Sequence, residues 1–355
     1  MNHDISFLER LLDAPGPSGF EVRAARVWRE EARTFATDVD VDVSGNSFAT
    51  VAGSGGTRVM LAGHIDEIGL QITHVDKEGY LYVDGIGGWD PQVLVGQRVT
   101  ILGRAGDVTG VVGKKAIHLM TPEDRTQASK IKNLWVDVGA ASREEVLELG
   151  IRVGDPMVIA QPMTRLAGDR IASRAIDNRI GAFVVLEALR LLSDDEPFAT
   201  TTAVATVQEE IGHAGGGART SAYQLEPDVA LVVDVTFSTD VPDVEKKELG
   251  EHELGGGPVL SRGSASHNEV FEELATTAEK AGIPFTIQAS PLATRTDADG
   301  IYLTRRGVPT AVVSVPNRYM HSPNEVVSVR DVFSAAELLA AFVRALEKDT
   351  DFTPR

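Results

Sequence analysis

Glu209 and Glu210 stand side by side where the strand-like run 201–208 (TTAVATVQ) ends. Other side chains able to bind a cation lie on both sides of the pair: His64 and Asp66 upstream, Asp177 nearer, Asp234 and His321 downstream. Successive side chains on an extended backbone point opposite ways. One carboxylate is then free to bind a metal ion while its neighbour faces a water, the division of labour that metal-assisted hydrolysis requires. Two carboxylates closing a buried strand are costly unless a cation compensates them. His64 and Asp66 are two apart, on one side of an extended segment, so Asp66 can hold the ring nitrogen that His64 does not give to a metal. Asp177 begins a helix, and as one of this set it is the natural bridge between two ions ~3.5–4 Å apart.

The elements that must position these residues can be read from periodicity. Residues 6–12 and 21–35 carry apolar residues at helical spacing around the turn 14–19 (APGPSG), and 38–51 read as strand, turn, strand. A short apolar strand, 58–62 (RVMLA), runs into Gly63 and His64. From about residue 70 to 161 the texture changes to short Val/Ile-rich runs (QITHV, YLYVDGI, QRVTILG, DVTGVVG, NLWVDVG, DPMVIA), which suggests a small β-barrel or sandwich. A helix at 142–149 interrupts it, with Ser142 as N-cap and Glu145 three residues on. Beyond Ile171 strands and helices alternate: a helix at 179–192, strands at 201–208 and 229–235, a helix at 268–281, strands at 285–289 and 310–315, and a closing helix at 330–346. The expected fold is therefore α/β, with a mostly parallel, doubly covered sheet and an inserted β-barrel-like unit. His64, Asp177, the glutamate pair, Asp234 and His321 all follow strands or open a helix, so they converge on the carboxyl edge where such sheets build sites. The catalytic domain is expected to comprise 1–68 and 168–355, with 69–167 inserted.

Composition narrows the chemistry. With 355 residues, 43% hydrophobic and 24% charged, the chain reads as folded throughout. It has no cysteine, which removes disulfides, thiolate metal sites and cysteine nucleophiles together. Any metal is left to His, Asp and Glu, which favours zinc, cobalt or manganese at an open site. A net charge of −18 argues against nucleic acid as a partner. No apolar run reaches the ~20 residues of a membrane span, and the N-terminal stretch has acidic residues where a signal peptide carries basic ones, so the expected location is cytoplasmic.

Taken in order, LLDAPGPSGFE, GHIDEIG, SRAIDNRIG, VQEEIGHAGG, VVDVT and RYMHSPNEVVS resemble the M42 metallopeptidase family over nearly the whole chain. That resemblance implies an aminopeptidase with two divalent ions, zinc or cobalt or else manganese. It makes His64, Asp177, Glu210, Asp234 and His321 the metal ligands, with Asp177 bridging. Glu209 becomes the general base and Asp66 the carboxylate behind His64. It also implies peptide substrates and self-assembly, with the insertion as dimerisation element and twelve-subunit tetrahedral shells. One departure stands out: members commonly carry Gly-Thr-Asp-Ala where this chain has Arg295-Thr296-Asp297-Ala298. Three other readings compete. An M20-type deacylase or carboxypeptidase shares His-x-Asp and the glutamate pair, but has a short step from its first histidine to the bridging aspartate, whereas here the step from His64 to Asp177 is long. A glycan hydrolase, the endoglucanase label sometimes given to the family, would leave His64 and His321 without a task. A metal-binding scaffold would not need Glu209. The run Gly215-Gly216-Gly217 reads as a flexible or close-packed loop, and His213 as a loop histidine near the pair. His3, His74, His118, His252 and His267 have no evident partners in the sequence.

Overall fold

In the computed structural model, residues 3–194, 197–212, 215–348 and 350–354 are described. Two helices open the chain, α1 (Ser6–Asp13) and α2 (Val22–Ala32), and the i, i+3, i+4 face of α1 buries Leu8, Leu11 and Leu12. The hairpin β1 (Asp38–Val41) and β2 (Ser47–Val51) leads to β3 (Arg58–His64). The chain then leaves the sheet and closes a six-stranded barrel: β4 (Gly69–Val75), β5 (Leu81–Ile86), β6 (Arg98–Gly103), β7 (Gly106–Gly113), β8 (Trp135–Asp137) and β9 (Pro156–Ile159). Alternate side chains such as Leu70, Ile72, Val99 and Ile101 fill a core of the barrel's own. Its connections carry α3 (Pro122–Thr126) and α4 (Arg143–Glu148), the second capped by Ser142 as expected. Next come β10 (Thr164–Arg165) and β11 (Arg170–Ser173), then α5 (Ile176–Ser193), β12 (Thr200–Thr206), α6 (Gly216–Leu225), β13 (Val229–Phe237) and α7 (Lys246–Leu249). The chain finishes with β14 (Val259–Gly263), α8 (Asn268–Ala281), β15 (Thr286–Ser290), α9 (Ala298–Ile301), β16 (Thr310–Asn317), β17 (Glu325–Ser328) and α10 (Val329–Ala345).

The main sheet has eight strands in the order β1-β2-β12-β3-β13-β16-β14-β15, and its central run β12-β3-β13-β16 is parallel. Both faces are covered, and the period of two shows it. On β3, Val59 and Leu61 join the core that includes α1, α2, α5, α8 and α10, while Met60 and Ala62 pack with α6 and α9. The alternation repeats on β13, with Leu231 and Val233 on the first face and Ala230 and Val232 on the second. This matches the expected α/β architecture with its small barrel.

Several boundaries differ in ways that matter for the site. Strand β12 stops at Thr206 and Gln208 takes a left-handed φ of 63°, so Glu209 and Glu210 lie on a loop and not on the extended backbone expected. Strand β3 runs through His64, and Asp234 lies inside β13 instead of ending it. Gly216 and Gly217 are not loop but the first turn of α6. A Cβ on Gly217 would fall 2.0 Å from Asn46 Oδ1, which explains the glycine. The three-stranded sheet β10-β11-β17 was not foreseen, because strands of two to four residues carry no readable period.

A buried ion cluster ties the N-terminal helices to the base of the site. Glu67 pairs with Arg174 and, at 2.9 Å, with Arg179, whose side chain is fully buried. Arg179 also donates to the carbonyls of Leu11, Ala14 and Ile65, each at 2.6 Å. All three guanidinium nitrogens of Arg179 and both carboxylate oxygens of Glu67 are used, as a charge tolerated in a core requires. No helix among the described residues is long and apolar enough to cross a membrane.

Candidate metal centre

Four adjacent parallel strands deliver the site. His64 is the last residue of β3 and lies in register with Thr206, after which the β12 chain turns into Glu209 and Glu210. Asp234 is on β13, in register with Ser314 of β16, and His321 follows the end of β16. Asp177 comes from the start of α5, but not from a regular first turn. Asp177 and Asn178 have non-helical dihedrals and are joined by a cis peptide, so the regular helix begins after them, near the expected Arg179. Asn178 fills the break, donating to Val233 O and accepting from Gly181 N.

These residues form two groups that share one carboxylate. His64 Nε2 lies 3.3 Å from Asp177 Oδ1 and 3.9 Å from Asp234 Oδ1. His321 Nε2 lies 3.3 Å from Asp177 Oδ2 and 3.3 Å from Glu210 Oε2. The ligand-type atoms of His64, Asp177 and Asp234 all fall within 4.8 Å of one another, as do those of Asp177, Glu210 and His321. Glu209 belongs to neither group. Its Oε2 faces the first, 3.7 Å from His64 Nε2. Glu210 thus joins the second group while Glu209 stands outside both, and a loop separates their side chains where an alternating strand was expected to.

A layer behind these groups holds them. His64 Nδ1 lies 3.3 Å from both the backbone oxygen and Oδ1 of Asp66. The same carboxylate accepts the backbone N–H of Glu209 at 3.2 Å and of Glu210 at 3.0 Å. His321 Nδ1 meets the Gly88 carbonyl, from the barrel, at 2.8 Å. The Asp177 amide donates to Glu325 Oε2 at 2.7 Å.

Burial leaves this set strongly imbalanced. It raises the Glu209 pKa to about 10; the His64 charge opposes it, while Asp234, Asp297 and Glu210 add to it. Burial and the Asp177 charge push Glu210 up to about 7, and Asp234 is raised for the same kind of reason. Asp177 moves the other way: burial is outweighed by hydrogen bonds from His321 and His64. For His321, burial is outweighed by Asp177 and Glu210, which lift it to about 11. Carboxylates crowded this closely out of water call for compensating positive charge. Glu210 Oε1 is also buried without any hydrogen-bond partner. An unsatisfied carboxylate oxygen within an all His/Asp/Glu donor set fits divalent cations.

Every described residue singled out for this site in the sequence is brought to it. Glu325, Gly88 and Asp297 were missed. Glu325 sits within the RYMHSPNEVVS stretch, but nothing in its neighbours marks it as buried. Gly88 acts through its carbonyl, which has no side-chain signature. Asp297 is buried and accepts a hydrogen bond from the Thr206 hydroxyl. His213 lies outside the described residues. His252, without an evident partner in the sequence, is in fact engaged at both ring nitrogens, by Thr286 Oγ1 and Leu249 O. Beside Glu209 a cavity of about 500 Å³ is lined by Arg219, Arg295, Thr296, Asp297 and Leu303 among others. Arg295 takes a φ of 56°, a left-handed conformation that glycine adopts without strain.

Comparison with known proteins is consistent over the full length. A sequence model of the family described as M42 glutamyl aminopeptidase matches residues 45–338. A lysyl aminopeptidase of Pyrococcus furiosus is 38% identical over 354 residues, covering 99% of each chain. The crystal structure of a TET aminopeptidase from a marine-sediment archaeon of the Thaumarchaeota superposes with a TM-score of 0.92 at 35% identity, covering 97% of this chain and 96% of that one. The TET1 peptidase of Pyrococcus horikoshii, described as assembling into a tetrahedron or a large octahedral shell, superposes with a TM-score of 0.85 at 31% identity, covering 96% and 99%.

Proposed function

Because the chain belongs to the M42 glutamyl aminopeptidase family, we propose that it releases N-terminal residues from peptides at a centre of two divalent cations, with Glu209 as general base. The observation that carries this reading is the division of Asp177, whose Oδ1 faces the His64–Asp234 group and whose Oδ2 faces the Glu210–His321 group. One carboxylate would then bridge two ions, the first held also by His64 and Asp234, the second by Glu210 and His321. When bound, such ions supply the Lewis acidity that peptide hydrolysis needs at neutral pH. Zinc or cobalt suits the donor set best, and manganese is compatible with it.

The chain's own groups do the rest. Glu209 takes a proton from the attacking water at a carboxylate oxygen. It passes that proton to the leaving nitrogen as the carbon–nitrogen bond breaks. Burial and the neighbouring carboxylates raise its pKa, and the positive charge the centre calls for would offset them and leave Glu209 ionised to accept that proton. Asp66 sets the ring of His64 and the backbone of the glutamate pair together. We further propose that residues 1–68 and 168–355 form the catalytic domain and that the inserted 69–167 serves dimerisation within a tetrahedral dodecamer. The tetrahedron and octahedral shell described for the TET1 relative support the self-assembly.

The test is hydrolysis of matched peptides, free and N-acetylated, by protein stripped of metal and refilled with zinc, cobalt or manganese. Metal-dependent release of the first residue from the free peptide alone is the expected result. Equal cleavage of both peptides, or activity without metal, would overturn it. Light scattering of the native protein checks the assembly.

A further inference from the structure

We infer that Gly87 and Gly88, at the mouth of the barrel, form a positioning strap for the Glu210–His321 group and not for the His64–Asp234 group, so that the inserted barrel sets the affinity of one of the two metal positions. The inference rests on the two-cation reading above. A carbonyl oxygen only accepts, so the 2.8 Å contact from Gly88 O requires the proton of His321 on Nδ1. Nε2, the atom 3.3 Å from both Asp177 and Glu210, is thereby left as the donor for a cation.

The contact also matters because His321 has little else to hold it. Its side chain is 34% exposed, against 1% for His64. A Cβ on Gly88 would stand 3.3 Å from His321 Nδ1 and 3.6 Å from Cε1. The adjacent Gly87 has a φ of 76°, and a Cβ there would lie 3.5 Å from Cβ of Glu210. The strap thus abuts both ligands that are peculiar to the second group. Trp89 anchors it, donating from Nε1 to the carbonyl of Gly69 at 2.7 Å. The first group needs no such help. His64 is held by Asp66, two residues along its own chain, and Asp234 is embedded in β13.

Titration of metal-stripped protein with Co²⁺, followed by calorimetry and by cobalt absorption, tests the strap without relying on turnover. Gly88 is not among the glycines with a left-handed φ, so Gly88→Ala adds only the contact with His321. Wild-type chain should take up two ions. In Gly88→Ala the second should bind ten-fold or more weakly, the size of effect seen when an outer partner of a metal-bound histidine is disturbed. The first ion should stay within two-fold, and Gly88→Val should widen the gap. Asp234→Asn should weaken the other ion, which assigns the two. Equal weakening of both ions, or no change even with valine, overturns the strap. A wild-type chain that never accepts a second ion removes the two-cation reading and the strap together.

Discussion

Asp66 Oδ2 accepts the backbone N–H of Glu210 at 3.0 Å, while its Oδ1 takes that of Glu209 at 3.2 Å and lies 3.3 Å from His64 Nδ1. A single buried carboxylate therefore sets the angle of one metal-type histidine and the backbone path of Glu209 and Glu210. Its ionised form is favoured: burial opposes this, but the charge and hydrogen bond of His64 and the amide of Glu210 prevail.

Asp66→Asn replaces one of the two acceptor oxygens with a donor that the facing amide cannot use. The expected outcome is a fall in kcat of roughly 10–100-fold with metal affinity reduced in similar measure. Steady-state kinetics beside metal analysis of the dialysed protein check it. Wild-type values for both would show that Asp66 is a bystander.

Glu209 lies outside both metal-type groups, so Glu209→Gln should retain both ions. Its turnover should drop by at least the ~10²–10⁴ that a general base contributes. Metal content measured together with kcat separates this from His321→Ala, which should lose an ion. Full activity in the glutamine variant removes Glu209 from the mechanism.

Glu325 is buried against Asp177, and burial first, then that charge, raises its pKa well above the ordinary 4.5. A carboxyl that is neutral when folded but ionised when unfolded adds stability that is complete below that ordinary value. The contribution is lost as pH rises toward the folded pKa. Glu325→Gln keeps an acceptor for the Asp177 amide and should flatten this pH dependence in metal-stripped protein. Glu325→Ala leaves the amide unsatisfied and should cost about 1–3 kcal/mol. Urea denaturation at several pH values distinguishes the two variants, and identical curves for both would refute the assignment.

Arg295 lines the cavity beside Glu209 in a backbone conformation that glycine adopts without strain. Arg295→Gly should therefore fold well and lower the ratio of kcat/KM for glutamate over leucine at the first peptide position. About ten-fold is expected for the loss of one charged hydrogen bond. An unchanged ratio would show that the arginine does not meet the substrate side chain.

Much of this centre is legible in the chain itself. His64 and Asp234 are polar residues at or near the ends of apolar strands, and Asp177 precedes a long helix. Strand parity and helix period place all three at one edge before any coordinates are known. Even where the expected element failed, as when Glu209 and Glu210 proved to lie on a loop, the pair remained visible because adjacent carboxylates beside a buried strand demand compensation.

What belongs to tertiary structure alone is the way these residues are shared and held. Oδ1 and Oδ2 of Asp177 face different groups at a point where the backbone of α5 is not helical, and no local pattern in the sequence marks it. That Glu325 braces Asp177, and Gly88 braces His321, depends on contacts between segments 148 and 233 residues apart. Sequence periodicity reports which face of an element avoids water, because burial acts on every turn of a helix or every second residue of a strand. A hydrogen bond between distant backbones leaves no such trace, so only the folded chain could show which carbonyl and which carboxylate complete the site.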